Sequence, residues 1–265
     1  MPYADARGGR IYYETYGDGE PLLMIPGFGA TTLVYSENIP ALAEHFRVIV
    51  FDPRGAGRSD TPEGASMQMY VDDCVTMMEV ARAAETHVLG ASWGGMVAQN
   101  LALAYPERVR GLILACTTPG GPHHVSPPPE NMARFLAASD IPDPAEAVRS
   151  LYPLHYSDRY AAENDASIVA RALAGADLRS RPEGRLRQLT AVQEHDTHDR
   201  LHEIAAPTLV AHGEDDGVVP VDNARKLAAR IPNATLDLYP EARHVFFIER
   251  AEEFNCRAVD FLRSA

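Results

Sequence analysis

The sequence predicts an α/β fold: a mostly parallel sheet flanked by helices, with a helical insertion in the second half. Three observations predict it. Between residues 22 and 115, short continuous apolar runs alternate with helix-like segments, the rhythm of right-handed βαβ crossovers. Residues 86–105 (THVLGASWGGMVAQNLALAY) turn a strand directly into a helix through a corner of small residues, Gly90, Ala91, Gly94 and Gly95. The alternation then breaks over 117–205, where no convincing buried strand occurs, and resumes at 207.

In chain order, residues 10–16 (RIYYETY) alternate and are rich in β-formers, and Gly17-Asp18-Gly19 turns them, which reads as an antiparallel first hairpin. Residues 22–25 are continuously apolar, as in a strand buried on both faces, and exit through Pro26-Gly27-Phe28-Gly29. A helix is expected over 33–45, a strand over 46–52, and a helix over 68–84. The strand and helix around Ser92 follow, ending near Pro106, and 109–115 (VRGLILA) is a further apolar strand. Within 117–205 a Pro/Gly loop leads into helix-like segments at 132–139, 145–152, 159–175 and 183–195. The final elements are a strand at 207–211, a helix at 221–231, a strand at 235–239 and a helix at 251–263. The expected division is a core of 1–117 and 205–265 with a helical cap of 118–204.

The corner at Ser92 has the G-x-S-x-G spacing of a nucleophile elbow. A serine held there projects its hydroxyl above a helix N-terminus, whose unpaired N–H groups suit a developing oxyanion. The plain alternative is a glycine-rich connection, and the rest of the chain weighs against it. A serine hydroxyl needs a base, and the base needs a third group to orient it. In open parallel sheets such groups gather at the C-terminal ends of strands. After 207–211 comes His212-Gly213-Glu214-Asp215-Asp216, with three adjacent carboxylates; Asp216 is favoured and Asp215 stands second. After the next strand comes Arg243-His244, which offers His244 as base. The N–H groups of Trp93 and Phe28 are the expected oxyanion donors, with glycines at 27 and 29 permitting close approach.

Taken together, PGFG at 26–29, DPRGAGRS at 52–59, GASWGG at 90–95, GEDDGVVP at 213–220 and RH at 243–244 resemble the α/β-hydrolase fold family over nearly the whole chain outside the insertion. The finer resemblance is to 3-oxoadipate enol-lactonases and small carboxylesterases. It implies an eight-stranded sheet with a cap after the sixth strand. It also implies a serine hydrolase that cleaves a carboxylic ester or lactone through Ser92, His244 and Asp216, with an acyl-enzyme intermediate and no cofactor. In the family the 52–59 stretch is structural. The chain departs from the family at three places: Pro26 stands where a His is usual, Arg243 where a Gly is usual, and Trp93 where a Met is frequent. Hydrolysis of a C–C bond in a vinylogous diketone on the same triad is the alternative. A ligand-binding protein without catalysis is a third reading.

Composition narrows the partners. The net charge of −13, from 24 basic and 37 acidic residues, repels nucleic acid and anionic membrane, so neither is expected. Cys74, Cys116 and Cys256 are odd in number and widely spaced, which fits reduced thiols and a cytoplasmic location. The first ten residues show no apolar leader segment, and no run is long enough to span a bilayer. A homodimer is left open. His195, His198, Asp199 and His202 have spacings that could share a helical face, yet no metal is expected. Arg179, Arg181, Arg185 and Arg187 form a basic patch read as a solvated, salt-bridged face.

Overall fold

The computed structural model describes residues 2–61, 63–64 and 66–265; position 1, where the expected core segment begins, lies outside the described residues. The chain opens with β1 (Tyr3–Ala6) and β2 (Gly9–Tyr16), followed by β3 (Glu20–Ile25), α1 (Ile39–Ala43) and β4 (Phe46–Phe51). It continues through α2 (Met67–Val80), β5 (Thr86–Ala91), α3 (Trp93–Ala104) and β6 (Val109–Ala115). Then come α4 (Pro129–Ala137), α5 (Pro144–Ser150), α6 (Tyr152–His155), α7 (Asp158–Ala174) and α8 (Pro182–Glu194). The chain closes with β7 (Thr208–Gly213), α9 (Asp222–Arg230), β8 (Ala234–Tyr239), α10 (Phe246–Glu249) and α11 (Ala251–Ser264).

One eight-stranded sheet runs in the order β1-β2-β4-β3-β5-β6-β7-β8. β1 and β2 are antiparallel to their neighbours, and from β4 onward all pairs are parallel. The apolar runs carry residues for both faces, because successive side chains point to opposite sides. Leu23, Ile25, Val88, Leu112 and Val210 meet α2, α3 and α9 on one side. Leu22, Met24, Leu89, Ile113 and Leu209 meet α1, α10 and α11 on the other. Both faces are covered, so the central strands need no polar alternation.

Three expectations are corrected. The first hairpin is built from β1 and β2, with Tyr3 opposite Tyr12, and β2 then pairs with β4 rather than with the strand after Gly17–Gly19. Four residues with two exposed positions gave β1 too weak an apolar pattern to be read. The single helix over 33–45 is instead a 3₁₀ turn, Thr32–Tyr35, and the short α1. Asn38 interrupts it: its Nδ2 donates to Phe247 O and Asn255 Oδ1, which anchors the break to the C-terminal helices. The helix expected over 68–84 stops at Val80, shortly before Arg82 takes a positive φ of 50°. Among the described residues no helix is long and apolar enough to cross a membrane.

Candidate active site

The C-terminal ends of β5, β7 and β8 bring three distant side chains together. Ser92 sits between β5 and α3 with φ 55° and ψ −119°, a conformation that L-residues rarely adopt. Its neighbours make that corner possible. A Cβ on Gly94 would lie 2.1 Å from Ile25 O, and one on Gly90 would lie 2.3 Å from Gly94 O. The corner is also held by hydrogen bonds: Ser92 N donates to Ala115 O at 2.8 Å, and Thr117 Oγ1 donates to Ser92 O at 2.7 Å. Ser92, Cys116 and Glu241, three of the four non-glycine residues with positive φ among those described, all lie just beyond strand ends.

His244 Nε2 lies 3.1 Å from Ser92 Oγ, and His244 Nδ1 lies 2.8 Å from Asp216 Oδ2. An ionised Asp216 can only accept, so Nδ1 carries the proton and Nε2 is free to accept from the serine hydroxyl. Of the three neighbouring carboxylates, Asp216 is the one that turns inward; Glu214 and Asp215 are exposed. The other oxygen of Asp216 accepts the N–H groups of Val218 and Val219, each at 2.8 Å. Burial pushes this carboxyl up, but His244 and His212 outweigh it and hold the group well below the usual carboxylate range.

His212 is a contact that the sequence reading did not assign. It is fully buried at the end of β7, with Nε2 2.8 Å from Val219 O and 3.1 Å from Asp216 Oδ2. Its place just before the acidic loop was the available signal. His155, from the inserted α6, is a second: its ring centroid lies 5.7 Å from that of His244. Burial, reinforced by His244, lowers its pKa to about 3, so it stays a neutral imidazole. Arg243, at the position of the family's usual glycine, bonds to the helices between β6 and β7. Its Nη1 donates to Tyr156 O at 2.7 Å and pairs with Asp158 at 3.0 Å, tying the His244 loop to the insertion.

Ser92 opens into a cavity of about 460 Å³ that Phe28, Trp93, Met96, Met132 and Leu136 help to line. A second cavity of about 380 Å³ lies beyond Phe28 and Phe135, with His155, Tyr156 and Val245 on its wall. The Phe28 and Phe135 rings, 6.2 Å apart, border both. Gly27 packs beside the serine, since a Cβ there would lie 3.4 Å from Ser92 Cβ. The N–H groups of Phe28 and Trp93 have no hydrogen-bond partner among the described residues, which leaves both available as donors.

The remaining sequence candidates fall elsewhere. His195 is buried and bonded to Thr118 O and Asn100. His198 and Asp199 group instead with His123, their ligand atoms within 4.8 Å of one another. The two imidazoles there stack face to face at 3.6 Å and 15°, so their in-plane lone pairs do not converge on one point. Arg179 donates to the carbonyls of Ala138, Ser139 and Ile141, and Arg185 to Ser180 O; these arginines fasten the insertion to itself. The 52–59 loop is built around buried Asp52, which accepts from Thr32 N, Arg58 N and the Arg58 guanidinium.

Comparison with known proteins agrees with this architecture. The profile of the alpha/beta hydrolase fold family matches residues 20–251. A protein of Azorhizobium caulinodans named for carbamate hydrolysis, RutD, is 31% identical over 96% of both chains. The 2-hydroxy-6-oxo-6-phenylhexa-2,4-dienoate hydrolase of Comamonas testosteroni is 30% identical over 96% of this chain and 91% of its own. Among solved structures, the enol-lactonase from Burkholderia xenovorans LB400 superposes with a TM-score of 0.86 at 25% identity, covering 99% of this chain and all of the other.

Proposed function

We propose that this chain, which belongs to the alpha/beta hydrolase fold family and whose relatives are hydrolases, is a serine hydrolase of carboxylic esters or lactones. The observation that carries the reading is the unbroken relay from Ser92 Oγ through His244 to buried Asp216, opening onto an apolar cavity. In this reading Ser92 attacks the acyl carbon while His244 takes its proton. Asp216, fixed by two backbone N–H groups, orients the imidazole and stabilises its cation. The N–H groups of Phe28 and Trp93 receive the negative charge on the tetrahedral oxygen. His244 then returns its proton to the departing alkoxide, and water attacks the acyl-enzyme by the reverse route. The helices between β6 and β7 act as a cap whose side chains select the substrate.

Ser92→Ala should lower kcat on a p-nitrophenyl ester by on the order of 10⁴-fold or more, because triad members act as a unit. Near-normal turnover by that variant would refute the assignment. The enol-lactonase neighbour supports a lactone or ester, while the 30% identical dienoate hydrolase supports C–C cleavage on the same residues. Relative kcat/KM for esters, lactones and a vinylogous diketone separates the two. If a fluorophosphonate fails to label Ser92, a binding protein becomes the better reading.

A further inference from the structure

The cap helix α8 touches the core near its start, in its middle and near its end. Near its start, Gly184 packs so closely on Gly55 that a Cβ there would lie 1.9 Å from Gly55 O. Near its end, Glu194 Oε2 accepts the Met67 N–H at 2.9 Å. Between them, Gln188 Oε1 accepts the Gly29 N–H at 2.7 Å, a bond spanning 159 positions of sequence. Gln188 is fully buried.

Gly29 belongs to the turn that carries the expected Phe28 donor. Ala30 N donates to Gly27 O at 3.2 Å, closing a turn with Phe28 and Gly29 at its centre and Gly29 at φ +64°. That leaves the Gly29 N–H without a partner inside the turn, and Gln188 supplies one from the cap. The arrangement has a cost that packing does not explain. With its oxygen committed to Gly29, the Gln188 amide nitrogen is buried with no hydrogen-bond partner among the described residues. An orphaned buried donor is unfavourable, and the bond that the Gln188 oxygen makes to Gly29 offsets it.

We propose that Gln188 is a positioning residue for the oxyanion turn: from the cap, its amide oxygen fixes the 27–30 turn so that the Phe28 N–H meets the acyl oxygen of a substrate at Ser92. This rests on the serine-hydrolase reading above. It makes the cap part of the catalytic apparatus, since a cap displaced along α8 would release the turn. Gln188 touches no reacting atom and acts through Gly29.

The test compares Gln188→Met and Gln188→Glu with Glu194→Ala, which removes a different hydrogen bond from the same helix to the core. The probe is an aryl trifluoromethyl ketone, whose adduct with Ser92 places an oxyanion at the donors. Gln188→Met should weaken the ketone by about 10–100-fold, part of the 10²–10³ expected for losing a donor outright, and lower kcat with little change in KM. Hydrogen exchange at the Gly29 amide should quicken by about tenfold, which corresponds to ~1.4 kcal/mol. Gln188→Glu keeps an acceptor and should keep the slow exchange. Glu194→Ala should leave both readouts at wild-type values even if it lowers Tm. A Gln188→Met enzyme that binds the ketone as wild type does, or equal losses in Gln188→Met and Glu194→Ala, overturns the proposal. A wild-type enzyme that forms no adduct overturns the serine-hydrolase reading instead, and the Gly29 exchange still reports whether Gln188 holds the turn.

Discussion

Ser92 keeps its unusual backbone because Gly90 and Gly94, two positions to either side, have no side chain to resist it. Gly94 shows this most directly: a methyl there would have to occupy the space of the Ile25 and Pro26 carbonyl oxygens, at 2.1 and 2.6 Å. Backbone oxygens of a central strand cannot swing aside as a side chain can. Gly94→Ala should therefore cost on the order of 3 kcal/mol, at the upper end of overpacking effects. Gly175→Ala is the comparison, since its φ is −92° and its nearest obstacle is the movable Leu33 Cδ1 at 3.3 Å; at this half-buried, unstrained position it should shift stability by about 0.5 kcal/mol or less. Urea unfolding of the two variants reads the difference, and equal midpoints would contradict it. Residues of this kind are legible in a sequence because glycine at fixed spacing is a local signal. Gln188, His212 and His155 are not. Each matters through a partner brought near by the fold, and a glutamine in the middle of a polar helix looks like any solvent-facing residue.

At the scale of elements, legibility follows the same division. The runs that became β3 to β7 were readable because a strand buried on both faces is largely apolar. β1 was not, because its role comes from pairing with β2 at the sheet edge rather than from burial. The start of the 33–45 segment failed for another reason: Asn38 is claimed by residues more than 200 positions away, and that demand overrides local helix preference. Another long-range tie joins the 52–59 loop to α2. Arg54 and Asp73 form a two-pronged ion pair with side chains 3% and 1% exposed. A buried pair of this kind adds little compared with apolar residues of the same shape, but breaking it leaves an uncompensated charge. Asp73→Asn should destabilise by about 3–5 kcal/mol, whereas replacing both partners by Leu should recover much of that. Thermal unfolding of the single and double variants decides it: a double variant as unstable as the single would refute the account.

The whole molecule carries an acid sensitivity that no single element explains. Burial lowers the pKa of His87, His124, His155 and His195 alike, and that of His195 reaches about 4. In the unfolded chain a histidine titrates near pH ~6.5. Between these values the unfolded chain binds protons that the native state refuses, so stability falls as pH falls. The contribution is fully present above about pH 6.5 and is lost progressively toward the native pKa. For His195, buried and bonded on both ring nitrogens, the loss approaches roughly 3 kcal/mol, at about 1.4 kcal/mol for each unit of pKa. An opposing effect exists: acidification brings the net charge of −13 toward zero and relieves self-repulsion. That repulsion acts across solvent and is screened beyond about 8 Å at physiological salt, whereas the desolvation of a buried ring is not. The histidine effect should win, and the urea midpoint at pH 5 should lie below that at pH 7.5 in 0.15 M salt. His195→Gln should flatten the dependence by close to one proton. A midpoint that rises on acidification, or a slope that His195→Gln leaves unchanged, would show that surface charge and not buried imidazole governs the response.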